Sequence, residues 1–130
     1  AVFNRVDLSC TRCHAWWADA SARVGPHLLG VGQRLTRLQI LASIVGPNRR
    51  TTPGYGVTAF FLKDGRVVAG RVFEESATLV RLFDANNNPL ALDPAEVEER
   101  RADLSAMPED LVKMLIPADM RDLLAYLAGL

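Results

Sequence analysis

A chain of 130 residues bounds the answer to one domain, or one domain carrying an elaboration. With 49% hydrophobic and 23% charged residues it has the make-up of a folded protein, which excludes a disordered chain. The formal net charge is zero, so bulk electrostatics favour neither nucleic acid nor an anionic membrane. Lys63 and Lys113 are the only lysines, which removes a lysine-ring docking surface and leaves any basic partner site to arginine.

In chain order, Val2, Phe3 and Val6 sit at helical spacing and predict a short amphipathic helix over residues 1–8. Cys10-Thr11-Arg12-Cys13-His14 follows, then Trp16-Trp17, a small-residue stretch from Ala18 to Ala22, and a loop containing Gly25-Pro26-His27 and Gly30-Val31-Gly32. The glycines of that loop read as punctuation, because no strand precedes them as a phosphate cradle requires. Leu35, Leu38, Leu41/Ala42 and Val45 predict a helix with Thr36 as N-cap, stopped by Gly46-Pro47.

The pattern then changes to strands. Thr52-Pro53-Gly54 breaks the chain, 57–62 is β-branched and aromatic, and Asp64-Gly65 supplies a hairpin turn. Further strands are expected over 66–74, 78–83, 90–92 and 97–102, with a helical turn at 93–95; a helix over 95–101 is the competing reading of that last strand. Five short strands joined by tight turns predict a small antiparallel β-barrel of the SH3-like or Sm-like kind, with Phe60, Phe61, Val68 and Val80 in its packing. Helical periodicity returns after Pro108, and from Pro117 or Ala118 a final helix places Met120, Leu123, Leu124 and Leu127 on one face. Removing the strands leaves a helical remainder. The expected organisation is therefore a helical domain over 1–51 and 104–130 with a β subdomain inserted at 52–103. No apolar run approaches a membrane span, which argues against direct membrane insertion. The start at Ala1 without a signal peptide reads as a mature product or an excised domain.

The pentapeptide carries the chemistry. Two cysteines three apart on a helical turn present both sulfurs to one side, and the adjacent histidine points its imidazole between them. That suits covalent haem c, with thioethers from Cys10 and Cys13 and His14 as iron ligand. Zinc would need four ligands, and the only other histidine is His27; a thioredoxin-like dithiol belongs after a strand, whereas helical sequence precedes this one. For the distal ligand, Met114 and Met120 fall on apolar helical faces, while Met107 sits in an irregular stretch before a proline and is the better candidate. His27, directly after Gly25-Pro26, falls on the proximal side and suits a surface or propionate-linked role. His14 needs an acceptor for Nδ1–H, and the Pro26 carbonyl is the candidate. A Gly25-Pro26 that merely turns the loop explains the spacing equally well. Trp16 and Trp17 suit packing beside the haem, one donating its indole N–H to a propionate. Tyr55, Arg49 and Arg50 sit where helical and strand segments meet; propionate binding competes there with a solvated turn.

The order CTRCH, Gly-Pro-His-Leu, SAMP and a terminal DLLAYLAGL resembles class I c-type cytochromes. The interposed PGYGVTAFFLKDGRVVAGRV, with SAMPEDL and RDLLAYL after it, resembles the planctomycete-type haem-binding domain found at the C-terminus of membrane-bound dehydrogenase-like proteins. The resemblance implies a mainly α cytochrome c fold with an inserted β-barrel, α+β overall. It also implies Cys10, Cys13, His14 and Met107 as haem residues, Pro26 as the partner of His14, and crossed terminal helices. The matching aromatic, Phe3, lies further from Cys10 than usual, which implies a loosened or truncated first helix. The expected function is single-electron transfer by a periplasmic or extracytoplasmic monohaem cytochrome, not an enzyme in itself, serving a dehydrogenase or terminal acceptor. A haem-based small-ligand sensor and a structural zinc module are the alternatives. The β insertion is expected to act as a lid, a docking face or an interface for self-association.

Overall fold

The computed structural model describes residues 1–19 and 24–130, so the expected small-residue stretch from Ala18 to Ala22 lies partly outside the described residues. The chain divides into two compact units, Ala1–Arg50 with Met107–Leu130, and Thr51–Ala106.

The first unit is built from short elements. A 3-10 turn Val2–Asn4 precedes α1 (Cys10–Cys13), α2 (Val31–Arg34) and α3 (Arg37–Val45); a 3-10 segment Glu109–Met114 precedes α4 (Pro117–Ala128). Thr36 caps α3 by accepting the Gln39 N–H, and the Gln39 side chain accepts the Thr36 N–H in return, which satisfies two orphan donors. The core is Phe3, Val31, Ile40, Ile44, Leu123 and Leu127. On α4 the expected face holds, with Leu123 and Leu127 buried and Met120 and Leu124 packed beside them. On α3 it does not. That helix has apolar residues on two faces; Ile40 and Ile44 turn inward, whereas Leu38 is 73% exposed. Gly32 lies against the C-terminal end of α4, where a Cβ would run into the Ala128 backbone, 2.6 Å from its carbonyl carbon. This glycine is therefore a contact surface, not loop punctuation.

The second unit is a five-stranded antiparallel sheet, β1 (Val57–Leu62), β2 (Val67–Glu75), β3 (Val80–Phe83), β4 (Pro89–Leu92) and β5 (Val97–Leu104), in the order β4-β3-β2-β1-β5. Asp64-Gly65 makes the first hairpin turn: Gly65 has φ +90°, and the Arg66 N–H donates to Asp64 Oδ1 at 3.0 Å. Alternation turns Phe60, Leu62, Val80 and Leu82 into one core with Val68, Val72, Leu92 and Val97 against it. Phe61 stays outside that core, under the Arg101 guanidinium.

The expected mainly α cytochrome c fold with an inserted barrel is thus corrected. The sheet dominates the regular structure, and α1 to α4 have only four, four, nine and twelve residues. The reason is local. A helix must fix several residues before its first hydrogen bond forms, so segments boxed by breakers do not propagate. Over 1–8 only Val2–Asn4 is helical, because Arg5 is extended and Ser9 is left-handed at φ 54°, and Val6 is consequently 92% exposed. Between Pro108 and Pro117 the chain forms only the 3-10 segment Glu109–Met114. The sheet is open rather than a closed barrel, with β4 and β5 at its edges. Both carry edge features: Pro89 brings no N–H, and Glu98, Glu99, Arg100 and Arg101 line β5 with exposed charge.

Truncating Phe60, which is fully buried, is expected to cost about 3–5 kcal/mol in denaturant unfolding of the sheet. Thr36→Ala should cost only ~1 kcal/mol through the lost cap. Equal costs would contradict this ranking.

Candidate haem-attachment site

The pentapeptide forms a single helical turn, closed by the His14 N–H donating to the Cys10 carbonyl at 3.0 Å. Ser9 enters it in the left-handed region, its hydroxyl donating to the Val6 carbonyl at 2.7 Å instead of capping α1. Residues 13–17 are then tied to the loop at 25–28 by four hydrogen bonds. The Gly25 N–H donates to Cys13 O at 2.9 Å and the Leu28 N–H to Ala15 O at 2.7 Å. Between these, His14 Nδ1 lies 2.7 Å from Pro26 O, and His27 Nε2 lies 2.9 Å from Trp17 O.

These contacts assign both histidines. A carbonyl can only accept, so His14 carries its proton on Nδ1 and presents an Nε2 lone pair; the ring makes no other hydrogen bond among the described residues. Burial pushes its pKa below the ordinary histidine value, with the Pro26 hydrogen bond opposing, and both the low pKa and the fixed tautomer favour a neutral metal-ligating imidazole. His27 is the reverse case. Its Nδ1 accepts the Leu29 N–H at 3.1 Å and its Nε2–H donates to Trp17 O, so both nitrogens are occupied and the residue brackets the loop.

Cys10 and Cys13 are unpaired and half-buried. Burial, above all, pushes both thiols up from their ordinary value, so they stay protonated at neutral pH. Cys10 packs against the helical core together with Trp16, Leu28 and Met107, so a thiol and the candidate distal thioether border the same apolar cluster. Trp16 meets Phe3 edge-on at 5.1 Å, and Phe3 in turn lies 5.5 Å from Tyr126, which fixes the wall behind the turn. Trp17 crosses Trp16 at 4.7 Å and is 44% exposed. Tyr55 belongs to the sheet unit, where Arg71 lies over its ring. The structure thus brings Cys10, Cys13, His14 and Pro26 together, with Trp16 and Met107 bordering the same core.

Two positions carry more than the sequence signalled. A Cβ on Gly25 would stand 2.7 Å from His14 Cε1 and 2.9 Å from Nδ1, so the imidazole packs directly on the Gly25 backbone. Arg5 holds the approach to the turn: it pairs with Asp7 and with Asp119 of α4, each at 2.6 Å. The hydrogen bond from Arg5 lowers the Asp7 pKa. Gly-Pro was visible as a turn, but the ring lying on Gly25 was not.

The donor set can be tested for its fit to covalent haem c. Among the described residues no three His, Cys, Asp or Glu side chains are gathered as a group that could hold a metal ion. Two protonated thiols on one turn beside an imidazole with a pinned Nδ1–H are what thioether attachment and axial ligation require. Among the described residues no helix is long and apolar enough to cross a membrane. No protein-family model matches the chain, and no curated protein sequence matches it significantly.

Nitrogen-15 spectra of ring-labelled histidine should show His14 protonated at Nδ1 and His27 at Nε2. Gly25→Ala should move the His14 ring signals and lower Tm while leaving those of His27 in place. An Nε2–H tautomer at His14 would contradict the assignment.

Proposed function

We propose that the chain is a monohaem c-type cytochrome domain that carries single electrons and transforms no substrate itself. The observation that carries this reading is the 2.7 Å hydrogen bond from His14 to the Pro26 carbonyl, set within a CTRCH turn whose two thiols are unpaired. On this reading Cys10 and Cys13 would hold one haem through thioethers, and His14 and Met107 would ligate its iron. Trp16 and Trp17 pack beside them. The bound haem supplies a one-electron iron couple.

The residues of the chain supply the rest. Pro26 and Gly25 hold the imidazole in one orientation, so the ligand does not reorganise between oxidation states. The Met107 thioether is a soft, neutral donor that favours ferrous iron and raises the potential relative to a second histidine. Phe3, Trp16, Leu28 and Leu124 belong to the apolar cluster that Cys10 also borders, and would help keep water from a group held there. Several large apolar side chains of this unit stand exposed, among them Leu38, Val45 and Ile116, more than so small a core closes over unaided.

The order of motifs supports membership of the planctomycete-type haem-binding domains; the support lies in the motifs and not in a helical fold. Thioether attachment takes place on the export side of the bacterial membrane, so the proposed compartment is periplasmic or otherwise extracytoplasmic. The proposed partner is a redox protein, a dehydrogenase or a terminal acceptor.

The reduced protein is expected to give a sharp low-spin α band, and Met107→Ala to abolish the methionine-to-iron charge-transfer band of the oxidised form. Loss of that band in Met114→Ala instead would reassign the distal ligand. A high-spin ferrous form that takes up carbon monoxide quickly would favour ligand sensing over electron transfer.

A further inference from the structure

The outer face of the sheet carries a second ordered cluster. Arg71 of β2 pairs with Phe83 of β3, and Val72 with Leu82, so Val72 and Leu82 enter the core while Arg71 and Phe83 stand on the opposite face. The bulge between Val72 and Glu74 adds Phe73 to that face, where its ring stacks on Phe83 at 4.3 Å. The Arg71 guanidinium lies 5.5 Å from the Tyr55 ring centre and 5.7 Å from that of Phe83, and Arg81 lies 5.4 Å from Phe73. Tyr55, Arg71, Phe83, Phe73 and Arg81 therefore form one continuous ladder of rings and cations, with Phe83 and Phe73 stacked at its middle.

The two arginines differ in what balances them. Arg81 pairs with Glu74 at 3.2 Å. Arg71 has no carboxylate and no hydrogen-bond acceptor among the described residues, and its Nε is buried without a partner. Arg5, Arg66, Arg100, Arg101 and Arg121 all have a carboxylate within reach. The rings thus fix the plane of the Arg71 guanidinium and strip water from it, while its terminal nitrogens, neither buried nor bonded, face outward. A partly desolvated cation without a counter-charge is costly, and a planar fork held still is pre-organised for a carboxylate.

We propose that this face is a docking surface for an acidic segment of a partner protein, a carboxylate of which seats on the outward edge of Arg71. Phe73, 43% exposed, supplies an apolar contact beside it, the combination of arginine and aromatic anchors that concentrates binding energy in protein interfaces. A nucleic-acid backbone fits less well: Glu74 pairs with Arg81 at the end of the ladder, and the chain has no net positive charge to meet a run of phosphates. The proposal does not depend on what Cys10 and Cys13 carry.

Titration calorimetry of the full chain with a hexaglutamate peptide, a hexaglutamine peptide and an oligothymidylate tests it. The glutamate peptide should bind and the glutamine peptide should not. Arg71→Lys, which keeps the charge and loses the fork, should weaken binding about tenfold, the worth of a charge-assisted hydrogen bond. Phe73→Ser, a change at an exposed ring, should also weaken it while the far-ultraviolet circular dichroism stays that of the parent chain. Equal binding of the glutamine peptide, tighter binding of the oligothymidylate, or unchanged affinity in either folded variant overturns the proposal.

Discussion

The hydrogen bond between His14 Nδ1 and the Pro26 carbonyl organises the helical unit. It is possible because the loop brings the Pro26 carbonyl to the ring, and because glycine at position 25 leaves room for the imidazole. The neighbouring bonds, Gly25 to Cys13, Leu28 to Ala15 and His27 to Trp17, then hold residues 25–28 beside residues 13–17. One face of the imidazole is packed on backbone and one nitrogen is committed. What is left is a single lone pair, beside two thiols that share its helical turn.

This unit also depends on close contacts near the end of α4. Gly32 meets the Ala128 backbone, the Gly30 N–H donates to Leu130 O at 3.0 Å, and the Phe3 ring lies tilted against Tyr126. Arg5 adds an ion pair to Asp119 in the first turn of the same helix. The aromatic contact of Phe3 is therefore kept by a 3-10 turn and two carboxylates where a longer helix was expected. The sheet unit rests on a separate core around Phe60 and Leu82, with its own polar and aromatic outer face.

Local signals made much of this legible in the sequence. The Thr36 cap, the Asp64-Gly65 turn, the β-branched run at Val57–Leu62 and the apolar face of α4 each rest on residues near one another in the chain. The Cys-x-x-Cys-His spacing likewise fixes its own turn. The misses have non-local causes. Which face of α3 is buried depends on α4 and the 108–115 segment, and both faces of α3 are apolar enough to qualify. Whether five strands close depends on the edges, where Pro89 and the charges of β5 outweighed the general strand count. The close approaches at Gly25 and Gly32 and the ladder through Arg71 exist only once separate segments meet, and the ladder further requires the bulge at Phe73.

The central claim is that Cys10 and Cys13 are the attachment points of one haem. Intact-mass measurement of the chain, produced in a bacterial host that exports it and carries the cytochrome c maturation machinery, tests this most directly. A thiol-alkylating reagent is added after denaturation. The account predicts a mass increase of one haem and no alkylation, because both sulfurs are thioethers. An unmodified mass with two alkylated cysteines would contradict it.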